Sequence, residues 1–289
     1  MKPVVKFSIN VEAIDCYLYG GYLFLVMADG QLLYVSYHKV VNCLKWEYPQ
    51  YSNLIDLIFL HNEYSKSEAA KIIFGVTEVR DVVEKIWMKA ANEIEFELNF
   101  NDIREDCKTI GEYSSIPLDI RLYGYRLFLG CKDGLYESRL NLDDNYHINP
   151  THLDKCYDGK VIGVNANCGS VVISADWDGL LTGEILDFNS KFRLDERHPQ
   201  GKRSLRTGWM TTDLMNYEGA SEFDYYRNEY LLKKDTEERL FYSKAKISEK
   251  KIIKEFGKEV YDMGTLFKKS NIDKEEIVYS LIVRKRASL

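Results

Sequence analysis

The sequence predicts an all-β chain, a β-propeller of about six four-stranded blades in which residues 3–10 complete the last blade. Three observations carry that expectation. A segment ending in an Asp-Gly turn recurs along the chain, and short apolar or alternating runs flank each turn. The chain of 289 residues is long enough for about six units of 40 to 50 residues. The composition is globular, 45% hydrophobic and 29% charged, which excludes wholesale disorder, collagen and a long coiled coil.

The repeat is read from three segments that align without a gap. They begin at Asp15, Asp119 and Val164 and end at Asp29-Gly30, Asp133-Gly134 and Asp178-Gly179. A glycine falls at the same inner position in each: Gly20, Gly124 and Gly169. The first two also share Leu-Phe-Leu in register, whereas the third matches in its glycines, its apolar run and its Asp-Gly. Asp-Gly favours a tight hairpin turn because glycine accepts positive φ without steric cost. Each segment therefore reads as three strands of an antiparallel meander joined by two tight turns.

The interval between the first two segments is long enough for one further unit. Runs 53–60, 71–76 and 83–88 supply its first strands, and 94–100 alternates with a period of two as its fourth. Beyond residue 205 the pattern decays, although 209–217, 229–232 and 239–247 can form a fifth unit and 251–256, 260–267 and 277–284 parts of a sixth. A separate small α+β element is the alternative there, with 244–255 helical. The blades are expected at 11–50, 51–110, 111–157, 158–200, 201–250 and 251–289, the last completed by 3–10, giving a single domain over 1–289.

This pattern resembles the WD40/YVTN-like propeller superfamily in general form. It lacks the Trp-Asp dipeptide at strand ends and the Gly-His opener of that group, and its one Trp-Asp pair, Trp177-Asp178, sits in a turn. The resemblance is architectural, so it implies a fold and no catalytic residue. The stretch 174–182 is similar to the Asp-box turn of sialidase-like propellers with one extra residue, and such turns are structural.

Composition also limits function. No stretch approaches the roughly 20 apolar residues of a membrane helix, and Met1 to Lys6 lacks the apolar core of a secretory leader. Six cysteines are scattered with no CxxC pair, which disfavours a structural zinc site and points to a reducing cytoplasm. The net charge of −6 argues against nucleic acid as the main partner. No phosphate loop, HExxH, GxSxG or nucleophile–base pairing is present, so no catalytic residue, metal ligand or cofactor is assigned.

The remaining candidates concern binding. The basic loop 193–206 contains Lys202, Arg203 and Arg206, and its arginine forks suit oxyanions or an acidic partner; the alternative is a solvated connection. The acidic stretch 218–238 carries Tyr225, Tyr226 and Tyr230, residues suited either to a protein interface or to packing between sheets. His147 and His152 share a polar loop with carboxylates. Asp15, Asp56, Asp119 and Asn165 open the repeats, where they either line a central channel or bond a neighbouring blade. The expected function is a non-enzymatic protein-interaction scaffold or complex subunit that binds one or more proteins. The alternative is a metal-dependent hydrolase or lactonase with its site in the channel.

Overall fold

The computed structural model describes residues 5–60, 72, 75–113, 115–144, 147–167, 169–185, 192–197, 203–210, 213–218, 223–228 and 242–244. The chain forms two compact units, residues 1–112 and 113–289. Among the described residues the strands form five separate sheets, none closed on itself, which corrects the expected closed six-bladed propeller.

The first unit mixes helix and sheet. It runs β1 (Phe7–Asn10), β2 (Ala13–Tyr19), β3 (Tyr22–Met27), β4 (Gln31–Ser36), α1 (Tyr37–Glu47), α2 (Ser52–Phe59), α3 (Thr77–Glu93), β5 (Phe96–Asn99), α4 (Asn101–Arg104) and β6 (Lys108–Glu112). An antiparallel sheet has the order β2-β3-β4-β6. Leu23, Leu25, Met27, Leu33 and Val35 share one of its faces and pack with Val40, Val41 and Leu44 of α1 and Leu54 and Ile55 of α2. Each such buried aliphatic side chain contributes about 1.5–3 kcal/mol relative to exposure. Lys45 ties α1 to α2 through Asp56 at 2.7 Å.

This unit overturns two strand assignments. Runs 53–60 and 83–88 are helical because their apolar residues recur at the helical interval. Leu54, Ile55, Ile58 and Phe59 form one stripe against the core. In α3, Val79, Val82, Val83, Ile86, Trp87 and Ala90 follow the i, i+3, i+4 pattern. The expected strand at 94–100 exists as β5, but β1 is its partner, parallel from Phe7 opposite Phe96 to Asn10 opposite Asn99. Residues 3–10 were expected to complete the last blade, and β1 is instead used within the first unit. The residues 251–289 assigned to that blade lie outside the described residues.

The second unit is built from meanders. Its strands are β7 (Asp119–Tyr123), β8 (Arg126–Gly130), β9 (Gly134–Leu142), β10 (Ile148–Pro150), β11 (Asp154–Asp158), β12 (Gly163–Asn167), β13 (Ser170–Ser174), β14 (Leu180–Glu184), β15 (Arg193–Arg197), β16 (Arg206–Met210), β17 (Asp213–Tyr217), β18 (Phe223–Asn228) and β19 (Tyr242–Lys244). They form sheets β10-β9-β8-β7 (with β11 also on β9), β12-β13-β14-β15 and β16-β17-β18-β19. Buried Phe128, Leu135, Val161, Val171, Ile173 and Phe192 join the first two of these sheets.

The tight turns follow the glycines. Gly20 and Gly21 both have positive φ, 57° and 79°, and so do Gly124 and Tyr125, at 57° and 54°. Two successive positive-φ residues make the type I′ turn whose twist suits a hairpin. The carbonyls of Gly21, Tyr125 and Gly169 accept N–H groups from the third strand or the residue after it, from Tyr37, Leu140 and Ile185. Gly169 is thus the counterpart of Gly21 and Tyr125, one place away from the gapless alignment. The next loop restores the register, because it closes from Ala175 N–H to Gly179 and spans one more residue than the loop from Cys131 N–H to Gly134.

Among the described residues, no helix is long and apolar enough to cross a membrane.

Candidate functional site

The longer loop in the third meander carries an exposed tryptophan held among charged side chains. It is closed by hydrogen bonds from Ala175 N–H to Gly179 O (2.9 Å), Asp178 N–H to Ala175 O (2.9 Å) and Gly179 N–H to Asp176 O (3.1 Å). The tightness forces Asp176 to φ 50°, a left-handed conformation that a non-glycine residue adopts at a cost. At the loop tip, Trp177 is 73% exposed.

Ser204 fixes the second half of the site. Its backbone exchanges hydrogen bonds with Asp176, at 3.0 Å and 2.8 Å, and its buried hydroxyl donates to Asn216 Oδ1 at 2.6 Å. Arg203, the preceding residue, is thereby held over the loop. Its Nε donates to Asp176 Oδ1 at 2.7 Å, and its guanidinium lies 4.6 Å from the centre of the Trp177 ring. Lys160 Nζ reaches the other carboxylate oxygen of Asp176 at 2.8 Å. Tyr157 donates its hydroxyl to Asp178 Oδ2 at 2.8 Å on the flank.

Burial alone would raise the Asp176 carboxyl. The hydrogen bonds and positive charges of Lys160 and Arg203 outweigh it and hold the group below its ordinary value. Asp176 is therefore a fixed anion that aligns two cations, one of them stacked on the indole. Such a cation–π contact contributes about 0.5–1 kcal/mol at an exposed site and orients the ring. The arrangement offers an aromatic surface and charged hydrogen-bonding groups, and it contains no nucleophile–base pair.

Of the residues expected to bind a partner, Arg203 belongs to this cluster. Arg206 is the first residue of β16, and its charge acts on Asp119. Lys202 and Tyr230 lie outside the described residues. Tyr225 and Tyr226 are in β18, opposite Met215 and Leu214 of β17. Trp177, Asp176 and Lys160 were missed by reading the loop as a plain hairpin. The available signal was the one extra residue between the apolar run and the glycine.

Of the four channel candidates, Asp56 is on helix α2 rather than on a first strand, whereas Asp15, Asp119 and Asn165 are each on the first strand of a sheet. The other three perform one common task. Asp15 Oδ1 accepts the Cys16 N–H at 2.7 Å, Asp119 Oδ1 the Ile120 N–H at 3.0 Å, and Asn165 Oδ1 the Ala166 N–H at 3.0 Å. Each caps the next amide on a first strand. In the second unit they also link sheets. Asp119 Oδ2 accepts the Val164 N–H at 2.7 Å, Arg121 Nε donates to Val164 O at 3.3 Å, and Asn165 Nδ2 donates to Thr207 O at 3.1 Å. Burial pushes the Asp119 carboxyl up, and the Val164 amide, Arg206 and Arg121 offset it in part.

His147 bonds Asp143 of its own loop at 3.3 Å. Among the described residues, no group of three or more His, Cys, Asp and Glu is placed to hold a metal ion.

No known protein family matches the chain, and no curated protein matches it. Among solved structures, it is similar to a chain of a complex from S. cerevisiae in which a Dbp5 variant is bound to Nup159, Gle1, IP6 and ADP. The identity is 9% and the TM-score 0.35, over 86% of this chain and 48% of that one. This chain thus spans about half the length of the one it matches, and a likeness at that level carries no argument about fold or function.

Proposed function

We propose that this chain is a non-enzymatic protein-interaction module, a scaffold or subunit of a larger complex, and that a partner protein docks on Trp177 and Arg203. The observation that carries the reading is a Trp left 73% exposed on a loop whose ring orientation is nonetheless fixed by Arg203. Tryptophan and arginine dominate interface hot spots because they bury large areas with little remaining freedom to lose. The Asp176 anion beneath them and the −6 net charge disfavour a nucleic acid. No two of the five described cysteines are joined in a disulfide, which supports a reducing compartment such as the cytoplasm.

The test compares the wild-type chain with Trp177→Ala and Arg203→Ala by affinity purification from native cells, followed by calorimetric titration of the partner recovered. Because Trp177 is exposed, its truncation leaves the thermal midpoint unchanged. It weakens the partner by at least about 30-fold, the scale of a hot spot. Partners that bind both variants as tightly as the wild type refute this site.

A further inference from the structure

In the first unit, among the described residues, strand β2 ends its sheet and pairs with β3. The two-residue turn at Gly20-Gly21 makes Tyr19 and Tyr22 a pair that exchanges both hydrogen bonds. Alternation along the ladder then turns the N–H and C=O of Leu18 and Cys16 away from β3, toward the open edge. Ile14 and Leu18 expose 43% and 52% of their surface there. They stand beside a groove of about 560 Å³ walled by Phe7 and Ile9 and floored by Leu23 and Leu25. That volume lies within the usual range of ligand pockets.

Asp15 defines what this edge takes. Its Oδ1 is on the Cys16 amide, and among the described residues nothing takes its other oxygen. Strand β7 shows the full use of the same arrangement. Asp119 precedes the end of its strand by four residues, as Asp15 does in β2. It caps its own neighbour with one oxygen and takes the backbone amide of Val164, on a strand of another sheet, with the second. An aspartate oxygen on a first strand thus takes the backbone N–H of an extended strand next to it. Beside β2 the same clip is accompanied by an apolar groove.

We infer that the β2 edge docks one extended segment of a partner protein, its backbone N–H taken by Asp15 and its alternate apolar side chains lying in the groove. An alternating apolar segment fits because side chains of an extended chain point to opposite faces with a period of two. The partner is then recognised by main-chain bonding for affinity and by the apolar positions for specificity.

The probe is a displayed library of random nine-residue peptides selected on the full chain, with selected peptides then titrated by fluorescence anisotropy. Selected sequences alternate apolar residues. Asp15→Ala weakens them at least tenfold. Leu18→Pro, which removes only an outward N–H and leaves the β2–β3 ladder intact, weakens them likewise. Trp177→Ala binds as the wild type does, so failure here is distinct from failure of the Trp177 site. The inference is overturned if no peptide is selected, if Asp15→Ala and Leu18→Pro bind normally, or if Trp177→Ala abolishes binding. It is also overturned if sedimentation shows that the edge is occupied by a second copy, in a dimer lost in Asp15→Ala.

Discussion

Breaking the buried ion pair of Arg126 and Glu137 is expected to destabilise the second unit more than any surface change. Both side chains are almost fully buried, 1% and 2% exposed, and they meet diagonally across β8 and β9, where Arg126 is opposite Arg139 and Glu137 opposite Phe128. Glu137 also accepts the Phe192 N–H at 3.0 Å, while the Phe192 ring meets Phe128 edge-on at 5.2 Å. The carboxylate therefore joins one sheet to the segment entering β15 of the next. Glu137→Gln keeps an oxygen for Phe192 but leaves the Arg126 charge without its counter-ion. Breaking a buried pair in this way costs about 3–5 kcal/mol, a shift of some two to three and a half decades in the unfolding constant. Replacing Arg126 by Met as well removes the stranded charge, and the double variant should recover to within about 1–2 kcal/mol of the wild type. The assay is urea unfolding followed by tryptophan fluorescence. Trp46→Phe and Trp87→Phe are made in every variant, so that Trp177 and Trp209 report the second unit alone. Additive losses, with the double variant less stable than Glu137→Gln, would refute the argument that the stranded charge is what destabilises.

Two further outcomes follow from the packing and the electrostatics. A methyl group at Gly183 would lie 2.4 Å from the Arg193 carbonyl oxygen and 2.6 Å from the Phe192 ring, so Gly183→Ala should cost about 1–3 kcal/mol or more in the same unfolding assay. Asp176 titrates below its ordinary value, so its contribution is full above the unfolded carboxylate range and is lost as pH falls through the lower folded value. Asp119 has the opposite sign: its raised folded value means the fold gains relative stability as that carboxyl protonates. Stability measured from pH 7 to pH 2 should therefore fall less steeply at the acid end in Asp176→Asn than in the wild type.

The strands of the meanders were legible because their turns are chemically marked. Gly20-Gly21, Gly30, Gly124 and Gly179 take positive φ, and the runs between the marked turns became β3, β4, β8, β13 and β14. The unit at 51–110 was misread for the opposite reason. Short apolar runs such as 53–60 look alike as strand or helix, and only the longer spacing from Val79 to Ala90 distinguishes α3. Helix α1 has no turn signal of its own and was absorbed into the first expected blade. In the third meander, two one-residue offsets cancel across the alignment. The gapless match therefore concealed both the shifted Gly169 turn and the extra residue that projects Trp177. Arg203 was found by its basic neighbourhood, but its pairing with a loop 27 residues earlier is a tertiary fact that spacing does not encode.

The recurrence of Asp15, Asp119 and Asn165 near the ends of first strands reflects a need of the strand rather than a shared ligand. A first strand lies at the margin of its sheet, and its outward amides require partners other than a ladder. An Asx side chain reaches the next N–H on its own strand and still has an atom left over. In Asp119 and Asn165 that atom bonds the neighbouring sheet, at Val164 and Thr207. The two targets are themselves equivalent, each three residues before the end of its strand, at Asn167 and Met210. The position of Asp119 in β7 is held in β16 by Arg206, whose charge favours the Asp119 carboxylate against its burial. That strand position is thus acidic in β2 and β7, glycine in β12 and basic in β16. The same logic makes Asp15, with one oxygen used and an apolar groove beside it, the point on the first unit where an added strand has its bonding partner already in place.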